Sequence, residues 1–172
     1  NKLGRINNVD IFQKFNFDGQ IFPLVVGSNR SDNTIFLGRL FPNGLIKKVI
    51  QNDIKSRIKE VYGITTFDSE KEKYIILSGK DGTVEQWEIN VDMDDINVNL
   101  VRTIKFNSIV EGLVTDLMYR KIYIAEENVG LWEINVDLEV DLDKKLILSV
   151  DEKYFKSDFE GVTLYEKDDG EG

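Results

Sequence analysis

One spacing constrains this chain more than any other feature. A polar residue, a glycine and an apolar run recur as Tyr62-Gly63-Ile64, Glu111-Gly112-Leu113 and Glu160-Gly161-Val162, each 49 residues after the last. A second marker agrees, because Trp87-Glu88-Ile89-Asn90-Val91-Asp92 returns 45 residues on as Trp132-Glu133-Ile134-Asn135-Val136-Asp137. Within each period lie several short apolar runs broken by turn residues, the pattern of a β-propeller blade of about four strands rather than of a helical solenoid. The expectation is an all-β chain of four-stranded antiparallel blades over residues 20–61, 62–110 and 111–159, with another starting at 160. A closed propeller takes at least about four blades, and four periods of 49 exceed 172 residues. The chain therefore reads as part of a longer protein or as an open fan, roughly three to three and a half blades. The apolar faces at its two ends need cover, from further blades or from a second copy.

In order along the chain, the apolar residues of 1–20 keep no sustained period and read as the end of an earlier blade. Pro23 to Val26 and Thr34 to Leu40 form a hairpin, and Pro42-Asn43-Gly44 turns the chain into a strand at Leu45 to Ile50. Ile54, Ile58 and Val61 sit at helical spacing behind a cap at Asn52 or Asp53, which reads as a short helix or a coiled crossover. Gly63 to Phe67, Tyr74 to Ser78 and Thr83 to Asn90 are the next strands, with a tight turn at Asp81-Gly82. Val91 to Asn97 reads as an acidic loop, after which strands are expected at Leu100 to Phe106, Leu113 to Asp116, Lys121 to Ala125, Gly130 to Asn135 and Leu146 to Val150. Gly161 to Tyr165 opens another blade.

Composition narrows the chemistry. With 22 Lys and Arg against 31 Asp and Glu, the net charge of −9 argues against nucleic acid or an anionic membrane as the main partner. No apolar run approaches the ~18 residues of a membrane span, and no charged-then-apolar signal segment opens the sequence. His and Cys are both absent, which removes phosphohistidine and phosphocysteine intermediates, His-based triads, thiolate metal sites and disulfides from this chain. Carboxylates, Tyr, Lys and Arg remain, a donor set that favours hard, oxygen-loving ions such as Ca²⁺ or Mg²⁺.

Equivalent stations on the innermost strands of successive blades face one channel, so Tyr62, Glu111 and Glu160 form a candidate set, joined by Asp158 and by Glu127 at the end of a following strand. Carboxylates gathered at one mouth repel unless a divalent cation screens them, and calcium is the expected ion. Against this stands the plainer reading: Glu before Gly is commonly a turn residue, Glu126-Glu127 a solvated hairpin corner, and Trp87 and Trp132 core packing. Arg30 and Lys80 follow corresponding strands in the two earlier blades, where the third offers Glu127. Arg suits phosphate through its planar fork and Lys as a point charge, and a solvated turn cation is the alternative for each.

At these residues the chain resembles the β-propeller phytases, the calcium-dependent alkaline phytase family. The matching stretches are VVGSNRSDNTI (Val25 to Ile35), EVYGITTF (Glu60 to Phe67), SGKDGTVEQWEI (Ser78 to Ile89), VEGLVTD with KIYIAEENVGLWEI (Val110 to Ile134) and SDFEGVTLY (Ser157 to Tyr165). The resemblance implies part of a six-bladed propeller whose channel mouth holds several Ca²⁺ ions, and a 3-phytase-like phosphoric monoester hydrolase acting on phytate or other inositol phosphates. It implies calcium-binding and catalytic roles for Tyr62, Glu111, Glu127 and Glu160, a calcium contact for Asp158, and phosphate contacts for Arg30 and Lys80. Asp81 stands where the family commonly has Glu. Family habit implies secretion or a periplasmic location. Two other readings stay open: an incomplete, non-catalytic propeller domain that binds calcium-phytate or aids a partner phytase domain, and a calcium-dependent propeller hydrolase of another class, such as a lactonase.

Overall fold

The computed structural model describes residues 4–92, 95–151 and 153–165. Among these the regular structure is entirely β, in three separate sheets. The first contains β1 (Ile6–Phe17), β2 (Gln20–Asn29), β3 (Thr34–Leu40) and β4 (Ile46–Lys48) in that order, with the short β5 (Ile54–Lys55) also pairing with β3. The second runs β6 (Val61–Asp68), β7 (Lys73–Gly79), β8 (Thr83–Asp92), β9 (Asp95–Lys105), and the third β10 (Val110–Asp116), β11 (Lys121–Glu126), β12 (Gly130–Asn135), β13 (Lys145–Ser149). Every pairing is antiparallel. Neighbouring strands in each sheet are mostly neighbours in sequence, as short connections favour.

The expected strands up to Ser149 are present, three expectations change, and the helix-or-coil alternative at 52–60 resolves to coil. Residues 6–17 do not close an earlier unit: they form β1, the first strand of the first sheet. Asp18 and Gly19, both at positive φ (50° and 64°), join Phe17 to its partner Gln20 in a two-residue turn, the conformation that the right-handed strand twist selects. Pro23, which lacks an N–H, lies in the interior strand β2 where the pairing with β1 breaks register between Phe12 and Phe15, so no ladder bond is sacrificed. The acidic stretch from Val91 is mostly strand, because β8 continues to Asp92 and β9 begins at Asp95. Alternation of Ile96, Val98 and Leu100 toward the core, with Asn97 and Asn99 between them, outweighs the acids before them. Residues 52–60 form no helix; Ile58 is buried there, in a coiled crossover with the short β5. Gly161 to Tyr165 is likewise not assigned to a strand.

Two apolar layers hold the sheets face to face. Phe12, Leu24, Leu37 and Phe15 of the first sheet pack with Ile64, Leu77, Trp87 and Ile96 of the second. Phe67, Ile76, Val84 and Ile104 of the second pack with Leu113, Ile122, Ile124 and Ile134 of the third. The second sheet therefore contributes alternate residues of one strand to opposite layers, Ile64 to one and Phe67 to the other. Strands β1, β6 and β10 lie side by side, and the sheets fan out from them.

Polar contacts fix the spacing of this inner edge. Ser28 Oγ accepts the Asn8 N–H at 3.1 Å and donates to the Tyr62 carbonyl at 2.6 Å. Ser78 repeats the arrangement one sheet on, accepting from Gly63 N–H at 3.1 Å and donating to the Val110 carbonyl at 2.8 Å. Both hydroxyls are buried, so each satisfies itself by stitching its own inner strand to the next. The glycines of the repeated station serve the same approach. A Cβ on Gly63 would stand 1.9 Å from the Glu111 carbonyl oxygen, and one on Gly112 2.2 Å from that of Glu160.

Candidate functional site

The stations read from the sequence coincide with a structural irregularity. In each innermost strand the register slips at the same place, between Val61 and Ile64 in β6 and between Val110 and Leu113 in β10. Such a bulge re-aims a side chain, and it is here that Tyr62 and Glu111 sit. The first sheet slips between Ile6 and Val9, which makes Asn7-Asn8 the equivalent of Tyr62-Gly63. Sequence reasoning missed this member because it has no glycine and lies off the 49-residue spacing.

A second ring of equivalents follows the second strand of each sheet. The backbone N–H groups of Arg30, Lys80 and Glu127 donate to the carbonyls of Arg5, Glu60 and Ile109 at 2.9, 3.1 and 3.0 Å. Each acceptor is the residue just before its sheet's innermost strand. One rim of the fan thus displays Arg, Lys and Glu in succession, as the sequence order suggested.

The cations converge. Arg30 Nη2 donates to Glu60 Oε1, and Lys80 Nζ lies 3.3 Å from the same oxygen. Arg30 Nη1 donates to Asn7 Oδ1 at 3.1 Å. Both cations also pack against the Tyr62 ring, with the guanidinium carbon 5.2 Å and the ammonium 5.0 Å from its centroid. Arg30 and then Lys80 hold the Glu60 carboxyl below its ordinary range by hydrogen bonding. Glu60 is a residue of this site that the sequence reading did not single out; Glu60 lies inside the matched stretch EVYGITTF but carries no repeat signal.

The acids converge more loosely. Burial, and then the charges of Asp158, Glu111 and Glu160, push the Glu127 carboxyl up, with Lys80 opposing. Burial, followed by the hydrogen-bonding and charge of Glu111 and the charge of Glu127, pushes the Tyr62 phenol up, with Arg30 opposing. All five acidic or phenolic candidates therefore share one electrostatic neighbourhood, and the two cations border it. The coil carrying Asp158 docks through its backbone N–H on the Glu127 carbonyl at 3.0 Å, with Asp158 at φ 84°. Glu111 and Glu160 also line a cavity of about 350 Å³ with Asn8, Ile64, Leu113 and Val162. The donors are all oxygens, of the kind a hard cation takes. Among the described residues, however, no three carboxylates stand close enough to form a metal-binding group.

One expectation needs correction. Glu126 is no solvated corner: it is fully buried, its Oε1 accepting from the N–H groups of Asn107 and Ser108 at 2.7 and 2.8 Å and its Oε2 from the Trp132 indole at 2.8 Å. Glu85 braces the preceding crossover in the same way, accepting from Arg57 N–H, Ser56 Oγ and the Trp87 indole. These buried acids and the two tryptophans form scaffold rather than site. Asp81 is turned into its own hairpin, accepting from Thr83 N–H at 3.1 Å and facing Lys105.

The sequence profile of the Phytase family matches residues 1–172. The chain belongs to the phytase family. Within that family it is similar to the 3-phytase of Bacillus subtilis (strain 168), 33% identical over 180 residues that cover 99% of this chain and 47% of the relative. This phytase-family chain thus spans about half the length of that curated relative. A solved structure of a functionally unknown protein from Desulfotomaculum acetoxidans DSM 771 shares the fold, with a TM-score of 0.56, 14% identity, and coverage of 74% of this chain and 38% of that one.

Proposed function

We propose that the three sheets are consecutive blades of a β-propeller and that their inner rim is part of a calcium-dependent phosphomonoesterase site for phytate or another inositol phosphate. The observation that carries this reading is the juxtaposition at one rim of a paired cation, Arg30 with Lys80, and an acidic group in which burial and then the charges of Asp158, Glu111 and Glu160 raise Glu127. Family membership supports the same chemistry. An acidic chain binds a highly anionic substrate only where cations stand between them. In this reading Arg30 and Lys80 take phosphate oxygens, while Glu111, Glu127, Asp158, Glu160 and the Tyr62 oxygen hold Ca²⁺. A bound Ca²⁺ supplies charge neutralisation and Lewis acidity. The Tyr62 ring packs against both cations and its phenol feels the charges of Glu111 and Glu127, so that ring and oxygen serve the two halves of the site.

A second reading, capture of calcium-phytate without turnover, is favoured by the loose spacing of the carboxylates. Further blades would complete the ligand set in a hydrolase, whether from the same polypeptide or from a second copy. A secreted or periplasmic setting, where calcium is abundant, suits either reading. The test is a calcium titration of melting temperature for wild type and Glu111→Gln, followed by phosphate release from phytate. A ligand that binds only the folded state at 100 times its Kd adds about 2.7 kcal/mol. The proposal expects a calcium-dependent rise in wild type that Glu111→Gln blunts. Equal rises, or none, would remove calcium from this rim, and binding without release would select the capture reading.

A further inference from the structure

We propose that Glu60 is the positioning residue of the cation pair: its carboxylate fixes the Arg30 guanidinium and the Lys80 ammonium against the Tyr62 ring before any phosphate arrives. This rests on the reading of Arg30 and Lys80 as phosphate contacts. A single oxygen, Glu60 Oε1, takes both cations. The place of Glu60 is itself fixed by the backbone, since its carbonyl accepts the Lys80 N–H at 3.1 Å. Gly79 permits that approach, because a Cβ there would meet Ile58 Cγ2 at 2.1 Å and the Glu60 carbonyl oxygen at 2.9 Å. The equivalent residues before the other inner strands, Arg5 and Ile109, carry no acid. An anion stands only where the cations of two sheets meet.

The need for it is electrostatic and entropic. Two like charges, 5.2 and 5.0 Å from one ring centroid, repel each other, and both are long side chains with many rotamers. Glu60 offsets the repulsion and restricts the rotamers in advance, which is the general route by which preorganisation raises affinity. It does so without exhausting the donors. A guanidinium has five N–H groups and an ammonium three; Glu60 and Asn7 engage the two Arg30 Nη atoms, and Lys80 has one oxygen partner. The net charge of the trio remains positive, as an anion site requires.

The test uses the full 172-residue chain as wild type, Arg30→Ala, Glu60→Ala and Glu60→Gln, titrated calorimetrically with phytate in calcium. In parallel, ¹⁵N relaxation of the Arg30 side-chain Nε–H is recorded without phosphate. Charged hydrogen bonds of this kind set the scale. Arg30→Ala weakens binding at least about tenfold, Glu60→Ala about tenfold, and Glu60→Gln, which keeps the acceptor oxygen, less. The Arg30 Nε–H is ordered in wild type and mobile in Glu60→Ala, a change that a merely stabilising role would not produce. If Arg30→Ala weakens binding while Glu60→Ala leaves it unchanged or tightens it, Glu60 is a bystander or a competitor and the inference fails with the site reading intact. If Arg30→Ala has no effect, the phosphate reading fails and the inference with it.

Discussion

The three glycines of the repeated station provide a graded test of why the repeat exists. None of them takes a positive φ, so conformational freedom does not explain them; close approach of the next strand does. An alanine Cβ at position 63 would lie 1.9 Å from the Glu111 carbonyl oxygen, more than about 1 Å inside an ordinary carbon–oxygen contact. Both partners are backbone in paired strands, so relief requires the second and third sheets to part. Overpacking typically costs about 1–3 kcal/mol, and rigid backbone on both sides places Gly63→Ala near the top. The reduced entropy of the unfolded chain returns about 0.4–1 kcal/mol, for a net loss of about 2–3 kcal/mol. At Gly112 the contact is 2.2 Å to the Glu160 carbonyl, but that carbonyl belongs to a coil that can yield, and about 1–2 kcal/mol is expected. A Cβ on Gly161 meets nothing within 4 Å, so Gly161→Ala is neutral or stabilising by up to about 1 kcal/mol. Thermal melts followed by tryptophan fluorescence suit the series, since Trp87 belongs to one layer and Trp132 packs against the other. For a chain of this size about 2–4 °C per kcal/mol applies, giving a fall of about 5–10 °C for Gly63→Ala. Equal effects at all three positions, or the largest at Gly161, would refute the close-approach argument.

Two further expectations follow from the acids. Glu126→Ala strips acceptors from two backbone N–H groups and an indole in a buried site, so a loss of about 3–5 kcal/mol is expected in denaturant melts; a loss under about 1 kcal/mol would show that the brace is dispensable. Glu127 has the opposite sign. Burial and its acidic neighbours raise its folded pKa above the ordinary 4.5, so the folded state keeps a proton that the unfolded chain has lost, and stability falls as pH rises from that ordinary value through the raised one. In chelator, Glu127→Gln should therefore raise the melting temperature at neutral pH, with the gain gone below about pH 4; a neutral-pH loss would contradict it.

Much of the candidate site's geometry was legible in the sequence because a repeat fold translates chain spacing into spatial equivalence. Tyr62, Glu111, Arg30, Lys80 and Glu127 occupy equivalent places because two bulges and three strand ends recur. Asn7 was hidden because the first sheet reaches its bulge without glycine, and β1 because its apolar residues keep no clean period across two register breaks, although Asp18-Gly19 marks the hairpin plainly. Glu60 and Glu126 could not be sorted by type. Both are glutamates beside strand ends; one is half-exposed and grips two cations, the other is sealed around backbone N–H groups and an indole.

The sequence by itself determined most of the strands from β2 on, their grouping into sheets, and the chemistry available at the rim, because alternation, turn residues and composition are local properties. Only the tertiary structure decided which acids serve the scaffold and which share a field, and that two cations from different sheets meet on one carboxylate. Those outcomes depend on how closely neighbouring sheets approach. That distance is set by packing across two apolar layers and by glycines pressed against carbonyls, contacts between residues far apart in the chain that no local pattern encodes.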